Sequence, residues 1–294
     1  MKNILFIAGM KEQYYFAPFL EACENIDVNI HICDPSRYPQ EASICATQSD
    51  NGHMDGYIDT VQFHNGSVKE SRISLSSIDT AWYLRENYVE NPYKIPTTIN
   101  ERFSENETRQ ALRAVFSTLE CKWINKRESI EYVNSNKFYQ QMIASRCGLL
   151  VPQTIISNNP ESVQKFSDSN NGILAKPIGY TKLDDEGRLA LYSECFSVEE
   201  ITSSHRAIRI CPLYGQKYVD KLYEHRVMAI GSSILSCRID SQASEKTKVD
   251  WRHYDLENTE HKYVELPEVV RKKLLSFMSM IDLRYGAIDL IETP

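Results

Sequence analysis

Apolar residues open the chain as a short run, Ile4-Leu5-Phe6-Ile7-Ala8, followed by a helical stretch around Phe16 to Ala22. Val28-Asn29-Ile30-His31-Ile32 then alternates apolar and polar positions. Strand, helix, strand in that order is an α/β beginning. A more polar stretch punctuated by Gly52, Gly56 and Gly66 reads as hairpins and loops, and Ala81-Trp82-Tyr83-Leu84 returns as a strand after Asp79. Pro92 and Pro96 close this first part near residue 100.

Ser104 and Glu107 have the spacing of a capping box, and Ala111, Leu112, Val115, Phe116 and Leu119 follow on one helical face. A second helix is predicted from about Asn136 to Arg146, with Phe138, Met142 and Ile143 on its apolar side and Gly148 as its stop. A third opens at Asn159-Pro160, where Asn caps and Pro takes the first helical position. The stretch from Gly172 to Pro177 reads as a strand that sets Lys176 among mostly apolar residues. Tyr218-Val219 and Arg226 to Ile230 read as further strands. Pro267 opens a last helix bearing Val270, Leu274, Phe277 and Ile281 on one face, and Tyr285 to Ile291 is a terminal strand. The second half is therefore α+β. A fold would ordinarily continue past so apolar a strand, so the end at Thr293-Pro294 reads as a truncation.

Composition adds exclusions rather than a function. The 294 residues are 42% apolar and 25% charged, as in an ordinary soluble protein, and suffice for more than one core. A formal net charge of −7 with no Lys/Arg-rich stripe argues against nucleic acid as a partner. The opening apolar run is too short for a signal peptide, and no other approaches the roughly 20 residues of a membrane helix, so a cytoplasmic protein without a membrane partner is expected. The eight cysteines form no C-x-x-C pair, which predicts reduced, mostly buried thiols rather than a zinc or redox site.

A series of short strings, each weak alone, is specific in its order and spacing. They are the segment Asp34 to Pro39, Trp82-Tyr83-Leu84-Arg85, Trp123-Ile124-Asn125, Asn136-Lys137, Val151-Pro152-Gln153-Thr154 and Ala175-Lys176-Pro177. The series continues with Tyr218-Val219-Asp220-Lys221, Glu224-His225-Arg226-Val227, Asp250-Trp251-Arg252 and Gly286-Ala287-Ile288-Asp289. Over essentially its whole length the chain resembles the ATP-grasp superfamily. Within it, the likeness is to the microviridin-type ligases, or graspetide synthetases, which cross-link ribosomally made peptides through esters or amides.

The resemblance implies an ATP-grasp fold behind an N-terminal α/β pre-ATP-grasp domain. The domain would occupy residues 1–100, a linker helix and the ATP-grasp N-lobe residues 101–210, and the C-lobe residues 211–294. It implies ATP and Mg²⁺ as cofactors, a precursor peptide with leader and core as partner, and a homodimer. Activating a carboxylate as an acyl phosphate brings several anions together, so cations must converge on them. By the resemblance, Lys137 and Lys176 contact phosphate, residues Gln216, Lys217, Tyr218 and Val219 form the connecting strand against adenine, and Glu224 holds the ribose hydroxyls. Arg226 and Arg238 would stabilise the transition state, Asp289 would bind metal, and residues 179–187 would be a flap over the phosphates. A Glu-x-Asn pair expected beyond Asp289 to complete the metal sites does not occur before Pro294. Arg37 and Arg85 would border the substrate cleft.

Taken without the family, the same residues have plainer readings. Lys137 is equally an exposed first-turn lysine, Glu224 a strand residue paired with Lys221 or Arg226, and Asp289 a solvent-facing position on an alternating strand. The functional alternatives are a different ATP-grasp ligase, adding amino acids to a protein tail or joining small metabolites, and a non-catalytic homologue that only binds peptide.

Overall fold

The computed structural model describes residues 1–9, 13–64, 67–84, 98–179 and 192–294. Two compact units divide the chain, Met1–Arg127 and Glu128–Pro294.

The first unit begins as the pattern predicts: strand β1 (Lys2–Ile7), helix α1 (Gln13–Cys23) and strand β2 (Val28–Cys33), with β1 and β2 parallel. Strands β3 (Ile44–Gln48), β4 (Met54–His64) and β5 (Ser67–Ser74) form the antiparallel meander read as hairpins, and β6 (Thr80–Tyr83) returns parallel to β1. Helix α2 (Ile99–Ser117) leads to β7 (Lys122–Ile124), parallel to β6, giving the order β3-β4-β2-β1-β6-β7 with β5 on β4. Phe6 stacks on Phe19 at 5.4 Å and meets the edge of Trp82 at 5.1 Å, fastening α1 to the sheet. Because β7 completes this sheet, the unit extends past the expected boundary at residue 100 and takes in the helix assigned to the linker.

Helix α2 starts upstream of Ser104. Thr98 and Glu101 supply the capping box: Thr98 Oγ1 accepts the Glu101 amide at 3.2 Å, and Glu101 Oε2 accepts the Thr98 amide at 2.9 Å. Ile99 and Phe103 in the first turns are exposed, so the apolar stripe that guided the sequence reading starts only where packing starts.

The second unit holds α3 (Arg127–Asn134, its first residue on the boundary), α4 (Lys137–Arg146), β8 (Thr154–Ser157), α5 (Pro160–Asn170), β9 (Ile173–Lys176) and β10 (Glu194–Phe196). Then come α6 (Val198–Ser203), α7 (His205–Ile210), β11 (Leu213–Gln216), β12 (Tyr223–Ile230), β13 (Ser233–Ile239), β14 (His261–Tyr263), α8 (Glu268–Met280) and β15 (Tyr285–Glu292). They make two four-stranded antiparallel sheets, β10-β9-β11-β8 and β14-β13-β12-β15. Strand β11 pairs with β8 and β9, so the lobe boundary lies after it and not at residue 211.

Each sheet is covered by helices on one face. In the first, Ile155, Ile173 and Leu213 pack with Val163 of α5 and with Ile201 and Ile208. In the second, Val227, Ala229 and Ile234, with Ile288 and Leu290, pack against Leu274, Phe277 and Met278 of α8 and Ile143 of α4. Helix α4 buries Ile143 and half-buries Tyr139 and Cys147, a stripe turned one residue from the expected one, which leaves Phe138 and Met142 exposed. Gly148 takes φ +76° just past the end, as read, and Asn136 is the N-cap, its side chain accepting the Tyr139 amide at 3.0 Å. Side chains alternate across a strand, so the residues between the core positions form the uncovered face of each sheet.

Candidate functional site

On the first sheet of the second unit, the register puts Lys176, Tyr214 and Ile156 on the uncovered face together with Leu174, Gln216 and Thr154. Gln216 is buried and its amide donates to Tyr214 Oη (3.1 Å) and Thr154 Oγ1 (3.3 Å), while that hydroxyl donates to Gln141 Oε1 of α4 (2.7 Å). The side chain of Gln216 thus braces the sheet to the helix. Strand β11 ends there, and the Lys217 amide makes its bond to Gln153 O at 2.9 Å. Residues Tyr218 and Val219, expected in a strand, lie in the non-regular connection to β12: their β-forming side chains are followed by Asp220 and Lys221, and no neighbouring strand pairs with them among the described residues.

On the second sheet the register places Glu224, Arg226 and Met228 of β12 on the uncovered face, with Asp289 of β15 directly opposite Arg226. Arg226 Nη1 donates to Asp289 Oδ1 at 3.0 Å, and both side chains are about half exposed. Glu224 is buried and accepts from Lys221 Nζ at 2.9 Å. The same lysine, only 4% exposed, donates to Val249 O at 2.9 Å. Arg238 corrects the expectation: it stands opposite His225, on the helix-covered face, where its guanidinium lies 4.2 Å over the Tyr223 ring. One position along a strand inverts the face, so Arg226 and Arg238 do not share a cleft. Glu292 is likewise turned away from Asp289 and accepts or shares a proton with His225 Nε2 at 2.9 Å, while Nδ1 of that buried ring meets Ser236 Oγ at 3.1 Å.

Three residues outside the expected site complete it. Asp250, 5% exposed, accepts from Arg252 Nε at 2.7 Å, from the Arg252 amide at 3.1 Å and from Arg252 Nη2. Burial would push its carboxyl up, but the Arg252 bonds and charge prevail and hold it at about 2. Arg252 in turn feels Asp289, and Lys176 feels Asp250, Arg252, Lys137 and Lys221. Burial is the main cause lowering the Lys176 ammonium below its usual range, with the three neighbouring cations acting the same way and Asp250 against them. Lys137 is lowered by burial and then by Arg252, and its Nζ contacts the carbonyl of Pro177. Lys137, Lys221 and Arg252 thus all act on the charge of Lys176, with Asp250 the buried carboxylate bonded to Arg252 and Glu224 the one bonded to Lys221. Asp250, Arg252 and Lys221 all belong to strings that carried the resemblance, and Lys221 was also one of the two partners read for Glu224.

The depressed Asp250 pKa sets a pH dependence. Its folded value lies below the ordinary 3.8, so its stabilising contribution is complete above about pH 4 and is lost as the pH falls towards 2. Asp250→Asn is expected to flatten the fall in melting temperature over that window, and thermal melts from pH 5 to 2 in both proteins check it.

The residues fit a polyphosphate. A buried lysine penalised by burial and by three like charges, with Asp250 alone opposing them, gains further from an incoming anion. For a divalent cation the fit is narrower. Among the described residues no group of three or more His, Cys, Asp or Glu could hold a metal ion, and Asp289 is engaged by Arg226. Asp289 suits Mg²⁺ only as one carboxylate ligand of an ion that arrives with phosphate oxygens. In the first unit, Arg37 pairs with Glu70 at 2.8 Å and Glu41 at 3.8 Å. Arg85 and residues 180–187 of the expected flap lie outside the described residues.

No family model and no curated protein matches the sequence. Solved structures do match. A RiPP-associated ATP-grasp ligase from Chryseobacterium gregarium, in complex with ADP and a leader and core peptide, superposes with a TM-score of 0.85 at 22% identity, covering 100% of this chain and 86% of that one. Macrocyclase MdnC from Microcystis aeruginosa MRC, bound with precursor peptide MdnA, gives 0.79 at 22% identity over 99% and 87% of the two chains. The ATP-grasp ligase PsnB, complexed with minimal precursor, Mg and ADP, gives 0.69 at 13% identity over 99% and 84%. This chain has the ATP-grasp ligase fold, with an α/β domain ahead of it, as the sequence resemblance implied.

Proposed function

We propose that this chain is an ATP-dependent ligase that activates Asp or Glu side chains of a ribosomally made precursor peptide and joins them to hydroxyl or amine groups as esters or amides. The observation that carries the reading is the grouping of Lys137, Lys221 and Arg252 around the buried Lys176, in a chain whose net charge is −7. The matched ligases, solved in complex with ADP, Mg and leader and core peptides, support it.

ATP supplies the γ-phosphoryl group, which passes to a carboxylate oxygen as ADP leaves; the acyl carbon is then attacked by a hydroxyl or amine, inorganic phosphate departs, and the nucleophile gives up its proton. The chain's share is electrostatic. Lys137 and Lys176 hold phosphate oxygens, and Arg252, fixed by Asp250, faces the place where carboxylate and phosphoryl meet. Arg226 is the second arginine on this side and releases Asp289 as it turns to phosphate. The connection 217–219 lies beside adenine, and Glu224, already neutralised by Lys221, accepts from the ribose. Eight free cysteines suit a reducing compartment, so we place the enzyme in the cytoplasm. Among the described residues no helix is long and apolar enough to cross a membrane.

The test is incubation with Mg²⁺-ATP and a Ser/Thr/Asp/Glu-rich peptide encoded beside the gene. ADP release together with loss of one water per cross-link by mass spectrometry is the expected result. Mass gain with free amino acids and no peptide would replace it by the tail-adding ligase. A second reading, a non-catalytic peptide binder, is favoured by the Arg226–Asp289 pair and predicts peptide affinity with no ADP formed.

A further inference from the structure

Residues 240–260 join two neighbouring strands, β13 and β14, by a connection far longer than a hairpin needs. Its base is closed where the Asp240 amide donates to Glu260 O at 3.0 Å. Its two shoulders are held from within: Thr247 Oγ1 donates to Ser241 O at 2.8 Å, and Ser244 Oγ donates to Asp255 Oδ2 at 2.6 Å. Between the shoulders lies the ion pair of Asp250 and Arg252, and there the bonds come from outside the loop. Lys221 Nζ donates to Val249 O at 2.9 Å, and the Ser193 amide reaches Asp250 Oδ2 at 3.5 Å.

Lys221 is an uncommon donor for that place, because a lysine is almost never fully buried unless it is paired. Its side chain is 4% exposed, and its partner Glu224, at 2.9 Å, is 11% exposed. A buried ion pair commonly adds no stability over well-packed apolar side chains of similar volume, so stability alone gives no reason for this one. What the pair provides is geometry. One ammonium holds both the Glu224 carboxylate, three residues along the chain, and a carbonyl 28 residues away. That carbonyl belongs to the residue before Asp250, whose Oδ1 accepts from Arg252 Nε at 2.7 Å. A displacement of Glu224 is therefore passed through Lys221 and Val249 to Asp250 and Arg252.

We infer that Lys221 is a positioning residue that couples the two ends of the site: ribose hydroxyls donating to Glu224 fix Lys221 and, through Val249 O, the segment that carries Arg252. A bound ribonucleotide then means an ordered Arg252 before any carboxylate arrives, and the nucleotide bears the ordering cost. The amides of this segment report its order. Those of Arg252, His253 and Tyr254 donate to Asp250 Oδ1, Asp250 O and Trp251 O at 3.1, 3.2 and 3.2 Å, so they exchange only when the segment opens. The placing of ribose at Glu224 rests on the ligase reading, but the coupling is tested without peptide or turnover, so it can fail while the nucleotide still binds.

The experiment measures hydrogen exchange of fragments covering residues 249–254 by mass spectrometry, in the full chain saturated with Mg²⁺-ADP or with Mg²⁺-2′,3′-dideoxy-ADP; calorimetry of each nucleotide sets saturation. The two share base and phosphates, so any direct effect of phosphate on Arg252 is common to both and the difference isolates the ribose route. In the wild type the segment is expected to exchange about fivefold or more slowly with ADP than with the dideoxy nucleotide. In Lys221→Met the ribose still meets Glu224 but nothing carries the contact to Val249, so the two nucleotides should give equal exchange. Thermal melting checks that this variant folds, and the wild-type comparison decides by itself if it does not. Equal exchange with the two nucleotides in the wild type, or a difference that persists in folded Lys221→Met, would overturn the coupling and leave Lys221 a structural residue. Failure of the wild type to bind ADP would overturn the coupling and the ligase reading together.

Discussion

Replacing Lys176 by methionine should lower ATP turnover by about 10² to 10³-fold while leaving the protein at least as stable as before. The two halves of this expectation have one cause. Burial and the charges of Arg252, Lys137 and Lys221 depress the Lys176 pKa, so the ammonium is less favourable in the folded chain than in water. A group in that condition destabilises the fold while charged, and an apolar side chain of similar length removes the penalty. The anion that offsets the penalty is the substrate, so the same replacement removes phosphate binding. Removing such a functional strain commonly yields about 0.5–2 kcal/mol of stability. Turnover assays and thermal melts on Lys176→Met check both. A variant that loses stability along with activity would make Lys176 a structural residue.

Arg252 should behave in the opposite sense. Its removal in Arg252→Ala strands Asp250, which is 5% exposed and otherwise receives the Ser193 amide at 3.5 Å. Breaking a fully buried pair costs about 3–5 kcal/mol; Arg252 is itself about half exposed, so a cost of about 2 kcal/mol is expected. Turnover should fall about 10²-fold as the charge beside the reacting groups disappears. The double variant Asp250→Ala, Arg252→Ala separates the two effects. It should recover part of the stability, because no lone buried carboxylate remains, and none of the turnover. Chemical denaturation and ADP release on the two singles and the double test this, and recovery of turnover in the double would remove Arg252 from the chemistry.

How much of this was legible follows from what each signal depends on. Local chemistry was readable wherever it sufficed by itself. Asn159 caps its helix, and Pro160 and Pro267 open theirs, because a cap needs only its own neighbours. The strands bearing Lys176 and Asp289 were recognised from their apolar pattern, and the resemblance singled out these two residues on them. Arg238 was misread because its face depends on the hairpin register with β12, where a displacement of one residue reverses every side chain. The first compact unit runs to Arg127, past the boundary read near residue 100, because the short β7 pairs with β6 at long range and has no local mark. Lys221 was read only as a partner for Glu224, because its bond to Val249 and its effect on Lys176 are made across the fold.

The measurement that tests the central claim most directly is calorimetric titration of Mg²⁺-ATP into the purified chain and into Lys137→Ala, Lys176→Met. The account predicts saturable binding of one nucleotide per chain that weakens steeply in the double variant and with added salt, because cations between the two sheets hold the phosphates. Absence of binding by the wild type, or binding that the double variant leaves unchanged, would contradict it.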